Sequence, residues 1–522
     1  MATKSVMSVN DSSIATLVSK LTEGWAPGRS GSAMRFLQAW KDRLATTADV
    51  KEFGNNWLYF VTELPGVHLL GTDDVHALLF VRNDDGVGDA ALRAWKRQAN
   101  APRRLLLVFA LTQAACDVAH EVFGQERSLV VSPEEIVQVL GSDQPSGALA
   151  GLLRRRIPIR SLIPYNYLRP ALGNLFFGRR SELARLLEEE EVSFAIAGPG
   201  MIGKTSMLQQ YQRLLQKRRD PRALRMFDIN FYPCSDTTSQ VVARFFAMRI
   251  DGSNRSHRMT AEGLVEFLRY HRHQNSGPLE LLLDEVDQIC RGTALAAIGE
   301  ATKLGYCRLI LCGRGQLFEM MLSKDSPLAY RLELLRPGPL EEEEARSLLL
   351  LPLTDLGLQI EKQDAVLDKI LRLTGRLPHL LQFYGKKLAE LAAEEFKGPV
   401  SSETIETLSW DLDSAYYVTS PLKDLEEPQV RLLALAILKE MPSELTPASV
   451  QALARQYGLE ISHDKALGIL NHLLIGNVLS WKRGSFVIAS EALPRYAANL
   501  GYLDNALAEA KAKVLGTAKG TR

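Results

Sequence analysis

One stretch limits what this chain can fold into more than any other. It is VSFAIAGPGMIGKTSMLQQYQRLLQKRR, beginning at Val192. An apolar run of strand length, Val192–Ala197, enters Gly198-Pro199-Gly200-Met201-Ile202-Gly203-Lys204-Thr205-Ser206, and a helix-compatible segment follows directly. The spacing is G-x-x-x-x-G-K-[ST] in the strand–loop–helix context that this motif requires. Glycines allow the backbone to form a nest whose N–H groups face phosphate oxygens, and the helix opening near Lys204 adds its positive dipole end. Lys204 is expected to reach the β- and γ-phosphates, and the Thr205 hydroxyl to ligate Mg²⁺.

The matching half of such a site is LELLLDEVDQI. Leu279–Leu283 has the composition of a buried strand and ends in Asp284 and Glu285. Acids at the carboxyl end of a parallel strand point into the crevice where ligands bind. Asp284 suits an outer-sphere or water-mediated Mg²⁺ role, and Glu285 suits polarising a water that attacks the γ-phosphate. Asp287 reads as structural. A third apolar strand, CRLILCGRG, ends at Arg314, which is placed to sense the γ-phosphate.

Around this block the chain divides into several parts. Its 522 residues exceed one ordinary domain and suggest about three. Hydrophobic residues make up 46% and charged residues 24%, enough apolar surface for real cores, which excludes a disordered or fibrous chain. Residues 1–160 read as a small α/β domain with a parallel sheet, from HALLFV at His76, RLLLVFAL at Arg104 and SLVV at Ser128. Ser132 and Glu135 form a capping-box pattern before the next helix. No catalytic constellation stands out there. Residues 161–174, rich in proline and arginine, read as a linker. The strong motifs fill 175–335, a helical lid is expected over 336–420, a winged helix over 421–500, and a helix with a tail over 501–522.

Five cysteines (Cys116, Cys234, Cys290, Cys307, Cys312) without CxxC spacing disfavour a disulfide framework and a zinc site, and imply buried thiols in a reducing cytoplasm. The N-terminus lacks the apolar core of a signal peptide, and no run long enough to span a bilayer occurs, so the expected location is cytoplasmic with no membrane partner.

Four segments together carry a family resemblance. FFGRRSELARLL, AGPGMIGKTSML, LLLDEVDQI and LILCGRGQL resemble the AAA+/STAND superclass of P-loop ATPases, of prokaryotic STAND-like and archaeal type. The family's F-x-G-R-x-x-E-L signature is matched by Phe177, Gly178, Arg179, Glu182 and Leu183. LTGRLPHLL resembles its G-x-P lid motif through Gly375, Leu377 and Pro378. The resemblance covers roughly 175–395. It implies ATP and Mg²⁺ as cofactors, an ATP/ADP cycle, Arg179 and Pro378 at the nucleotide, self-association, and a slow switch answering a protein signalling partner, with prokaryotic defence as one setting. This chain departs from the pattern in lacking an identifiable arginine finger. Arg331, Arg336 and Arg346 fall in the right region, and nothing in the sequence selects among them. The acidic run Glu341–Glu344 reads as a helix first turn.

The winged-helix reading raises a question of charge. Between Leu425 and Leu500 there are seven basic residues (Arg431, Lys439, Arg455, Lys465, Lys482, Arg483, Arg495). Seven acids oppose them (Glu426, Glu427, Glu440, Glu444, Glu460, Asp464, Glu491). The whole chain is equally balanced, 62 basic to 61 acidic. Phosphate contacts dominate DNA affinity, and few are on offer. Lys482 and Arg483, at the hairpin turn, are the candidates for a DNA backbone. The sequence thus supports three readings in order: a nucleotide-driven switch, a DNA-associated ATPase of origin-recognition or transposition-regulator type, and a non-hydrolysing nucleotide-bound scaffold.

Overall fold

The computed structural model describes residues 31–46, 48–52, 58–62, 75–80, 105–110, 113–123, 128–230, 239–251, 260–274, 277–289, 293–323, 331–393, 399–408, 418–423, 427–482, 484–499 and 502–519, with isolated positions between them.

The N-terminal unit is built on helix α1 (Gly31–Arg43) and strands β1 (Ala48–Glu52), β2 (Leu58–Thr62), β3 (Val75–Phe80), β4 (Leu105–Ala110) and β5 (Ser128–Val131). The strands lie in that order, but the sheet is mixed rather than parallel: β1, β2 and β3 pair antiparallel, and only β3, β4 and β5 are parallel. Chain length decides this. Residues 53–57 join β1 to β2 and cannot hold a crossover helix, whereas α2 (Gln113–Val122) makes the crossover from β4 to β5. Trp40 and Phe36 of α1 pack edge-on against Phe109 of β4, with centroids 5.0 and 5.2 Å away. Helix α3 (Pro133–Gly141) follows, and Ser132 and Glu135 close its capping box.

The central unit is a five-stranded parallel sheet in the order β10-β6-β9-β8-β7, where β6 is Phe194–Ala197, β7 Met226–Asn230, β8 Leu279–Asp284, β9 Cys307–Gly313 and β10 Glu333–Leu335. Helix α4 (Arg180–Glu188) leads into β6, α5 (Lys204–Lys217) leaves it, and α6 (Gly315–Leu322) follows β9. Every residue of β8 and β9 is buried, including Glu280 and Arg308. These two charges are tolerated because they satisfy each other. Arg308 Nη1 lies 2.5 Å from Glu280 Oε1, and Tyr211 of α5 donates to Glu280 Oε2 at 2.8 Å. The other guanidinium donors reach Tyr211 Oη and the carbonyls of Val192, Leu186 and Glu189 at 2.8–3.0 Å. Burial, then the neighbouring Glu280 carboxylate, pushes the Tyr211 phenol well above its ordinary value.

Helices α7 (Glu342–Asp355), α8 (Gln363–Thr374) and α9 (Pro378–Ala393) form a helical layer over the sheet's carboxyl edge. Glu341 is the N-cap of α7, and Glu341 and Glu344 form its capping box, so the acidic run serves the helix start. Beyond them come α10 (Pro428–Glu440), α11 (Pro447–Gln456), α12 (His463–Ile475), the hairpin β11 (Leu479–Lys482) with β12 (Ser485–Ile488), and α13 (Tyr502–Lys519), which packs along α10. Thr446 caps α11 with Pro447 in its first turn. Gly375 closes α8 at φ 59°, and a Cβ there would collide with the backbone carbonyl of Ala489, so glycine is what lets this C-terminal unit approach α8. Among the described residues no helix is long and apolar enough to cross a membrane.

Removing one partner of the buried pair leaves an uncompensated charge. Arg308→Met is expected to cost about 3–5 kcal/mol. Combining it with Glu280→Gln should recover much of that loss. Urea unfolding followed by tryptophan fluorescence and circular dichroism checks both; equal loss in the single and double variants would refute the pairing argument.

Candidate functional site

Strand β6 is wholly buried and delivers the glycine loop to the carboxyl edge of the sheet. Gly203 sits at φ 96° with open space around its missing Cβ, so backbone conformation, not crowding, requires glycine there. Met201 also has positive φ, 61°. Lys204 is 7% exposed, and its Nζ donates to the carbonyls of Gly198 at 2.9 Å and Pro199 at 2.8 Å. Burial lowers its pKa, and the Glu285 and Asp284 carboxylates offset part of that. An ammonium held on its own loop carbonyls can exchange them for phosphate oxygens without leaving the pocket.

Thr205 Oγ1 donates to Asp284 Oδ2 at 2.6 Å. Asp284, the last residue of β8, is buried, and its other oxygen accepts from Glu285 N at 3.0 Å. A hydroxyl and a carboxylate facing each other are hard oxygen donors of the kind Mg²⁺ takes alongside phosphate and water. Among the described residues no group of three or more His, Cys, Asp or Glu could hold a metal alone, so these two are the metal candidates. Glu285 adopts φ 53°, and its carboxylate lies 3.8 Å from Arg314 Nε, both side chains about half exposed. Asp287 accepts from the backbone N–H of Arg314 at 2.7 Å and of Leu317 at 3.1 Å, which fixes the turn from β9 into α6.

Gly200–Ser206, Glu285 and Arg314 line one cavity of about 330 Å³ together with Phe176, Phe177, Arg179 and Pro378, and Asp284 reaches it through Thr205. Gly198 and Pro199 contribute through the carbonyls that hold Lys204. The Ser206 hydroxyl accepts from Ala171 N at 3.0 Å. Arg179, at φ 61° and 7% exposed, donates to the carbonyls of Ile202 in the loop and Gly338 ahead of α7. Burial lowers its pKa, and Glu182 beside it counteracts. Its donors therefore brace the loop against the segment that leads into α7.

Lys482 lies apart, on β11, and Arg483 falls outside the described residues. Of the three arginines without an assigned role, Arg331 donates to Gly299 O at 3.2 Å, Arg346 binds Glu342 and Asp368, and Arg336 stands over the Phe318 ring at 5.6 Å.

Residues 161–174, expected to be a linker, form a wall of this cavity. Tyr165 is buried with its hydroxyl on Leu349 O at 2.7 Å, Asn166 N donates to Gln382 Oε1 at 3.1 Å, and Gly173 N donates to Gln210 Oε1 at 3.2 Å. The aromatics Tyr165, Tyr167, Phe176 and Phe177 were the signal that this stretch packs. The N-terminal unit docks on the same wall. Asn174 Nδ2 donates to Leu64 O at 3.2 Å, the His68 ring stacks 6.0 Å from Phe177, and His68 N donates to Asp355 Oδ2 of α7 at 2.7 Å.

No protein-family model matches the chain, and no curated protein matches it. Solved structures similar to it include the Walker-type ATPase PABY2304 of Pyrococcus abyssi (14% identity, 63% of this chain and 98% of that one, TM-score 0.48). Others are the Aeropyrum pernix ORC2 protein in ADPNP–ADP complexes (14%, 63% and 92%, TM-score 0.42) and the Aeropyrum pernix ORC1 protein in complex with DNA (16%, 64% and 93%, TM-score 0.36). Likenesses this loose carry nothing about activity.

Arg179→Ala is expected to weaken ADP binding at least about tenfold by loosening the loop, since hydrogen bonds from a charged donor are each worth about 1.5–3 kcal/mol. Arg179→Lys should fail to restore it, because a lysine cannot span two carbonyls with a planar fork. Titration calorimetry reads both, and full affinity in Arg179→Ala would refute the bracing role.

Proposed function

We propose that the chain binds ATP with Mg²⁺ in this cavity, hydrolyses it slowly, and works as a nucleotide-dependent switch of AAA+/STAND type. The observation that carries this reading is the Thr205 hydroxyl on Asp284 at 2.6 Å, directly beside the buried Lys204 and the glycine loop. Phosphate, metal and attacking water then have separate places. Lys204 and the loop amides take the β- and γ-phosphates, Thr205 and Asp284 hold Mg²⁺ among them, and Glu285 orients water at the exposed end, with Arg314 beside it. Bound Mg²⁺ supplies charge neutralisation between the phosphates. Phe176, Phe177 and Pro378 offer an apolar berth for the base.

The switch reading draws on the cavity's walls. They belong to the parallel sheet, the lid and the 163–177 segment on which the N-terminal unit docks through His68 and Asn174. A nucleotide that draws the lid toward the loop loads those contacts, so occupancy and N-terminal docking are thermodynamically linked. The half-exposed Glu285 favours slow turnover, and Arg314 is the arginine beside it.

A second reading, an ATPase that engages DNA, is favoured by one feature. Three helices followed by a two-stranded hairpin form a winged-helix arrangement, with Trp481 55% exposed beside Lys482 on the wing.

Lys204→Ala should abolish ATP and ADP binding. Glu285→Gln should retain binding but lower single-turnover hydrolysis by about 10²–10⁴-fold. Unchanged hydrolysis in both variants would sink the reading; binding without hydrolysis in the unmodified chain would leave the scaffold reading instead. Gel filtration with ATP, ADP or neither reads the switch, and a salt-dependent shift of duplex DNA that Lys482→Ala removes would favour the second reading.

A further inference from the structure

A second cavity, of about 660 Å³, opens where three parts of the chain meet. The central unit contributes Ala197, Gly198 and Arg336, the lid contributes Arg372 and Arg376, and the C-terminal unit contributes Asn477 to Lys482 along β11.

Its charges are unbalanced. Arg336, Arg372, Arg376 and Lys482 line it with two acids, Glu342 and Asp368. Both acids are engaged by Arg346, which does not line the cavity: its guanidinium donates to Glu342 Oε1 at 3.1 Å and to Asp368. Arg372 has Glu491 at 3.7 Å. Among the described residues no carboxylate pairs with Arg336, Arg376 or Lys482. Partial burial lowers the Arg336 pKa, with no carboxylate opposing it.

The polar groups are also unmatched. Asn477, 8% exposed and at φ 54°, has a buried Nδ2 with no hydrogen-bond partner among the described residues, and the buried Oγ of Ser480 has none either. Both atoms are closed off by surrounding protein, so it is the cations at the cavity that a ligand would meet. Cations converging on a cleft with low-dielectric walls focus a positive potential into it, and three of them from separate parts of the chain suit a ligand with more than one anionic group.

We infer that this cavity is a second ligand site, distinct from the nucleotide cavity, for a small molecule carrying two or more phosphate groups. Its volume is that of a small-molecule site. Trp481, half-exposed and held edge-on by Phe486 at 4.7 Å, also lines the cavity and suits a planar group attached to those phosphates. A long polyanion fits less well, because the C-terminal unit has as many acids as bases. The occupant ties Arg336 of the central unit, Arg376 of the lid and Lys482 of the hairpin into one arrangement. Gly198 joins it to the nucleotide cavity, since the Gly198 carbonyl also holds Lys204.

The test uses the full chain and sodium tripolyphosphate as probe, by titration calorimetry. The glycine loop is blocked with saturating ADP and Mg²⁺, and the titration is repeated on nucleotide-free Lys204→Ala, so the second site is read even where the first takes no ADP. One tripolyphosphate per chain is expected in both arms. Arg336→Ala and Lys482→Ala should each weaken it at least about tenfold, while Arg336→Lys largely retains it and ADP affinity without the probe stays within about twofold. Circular dichroism confirms that the variants fold, and Arg376→Gln serves where one does not. No binding in either arm, or binding indifferent to these substitutions, overturns the inference. So does uptake of an oligothymidylate but not of tripolyphosphate, which would make the groove a nucleic-acid surface.

Discussion

The buried guanidinium of Arg179 is the joint on which the cavity at the glycine loop depends. Arg179 stands between an entry segment and helix α4, in a left-handed conformation, and reaches both the Ile202 carbonyl of the glycine loop and the Gly338 carbonyl ahead of the lid. A charged donor this deep costs desolvation, which its acceptors must offset. They do so only while loop and lid keep their present separation. Gly178 beside it has φ 80°, and a Cβ there would strike Glu344 at the start of α7. The segment FFGRR thus ties together the glycine loop, the start of α7 and helix α4.

From that joint the cavity reaches outward in two directions. Through Phe177 and Asn174 it meets the N-terminal unit at His68, Leu64 and Val67. Through Gly198 and the Arg336–Pro339 turn it borders the larger cavity shared with the lid and the hairpin. The glycine loop is therefore flanked by two concave sites of different character: one an apolar berth ending in a phosphate nest, the other bordered by arginines whose nearby acids are already taken by Arg346. Near-neutrality of the whole chain conceals this local asymmetry, because charges average over sequence while ligands meet them in space.

Local patterns were read well wherever one segment supplied the whole signal. The buried strands β8 and β9, the loop 198–206, the caps at Ser132 and Thr446, and the hairpin 479–488 all follow from residue type and spacing within a few turns of chain. Legibility failed where partners were distant. The N-terminal sheet read as parallel because its visible strands alternated with a helix, while the antiparallel pairing of β1 and β2 hung on a short connection and an edge strand, ADVKE, with little apolar character. Residues 161–174 read as a linker because proline and arginine dominate their composition, yet their backbone N–H groups find acceptors on Gln382, Ser206 and Gln210.

The sequence by itself determined the chemistry at the phosphate end. The loop turns through positive φ at Met201 and Gly203, and the spacing sets a lysine, a hydroxyl and a strand-end carboxylate side by side. Tertiary structure alone decided what surrounds that end. It chose which arginines are braces, such as Arg179 and Arg308, and which stand without a carboxylate, such as Arg336 and Arg376. It also brought the orphaned Asn477 amide to the same cavity as those cations. The reason is physical. A side chain's conformation is set locally by its backbone, but its charge state, burial and partners are set by whichever segments fold against it, and those lie up to hundreds of residues away along the chain.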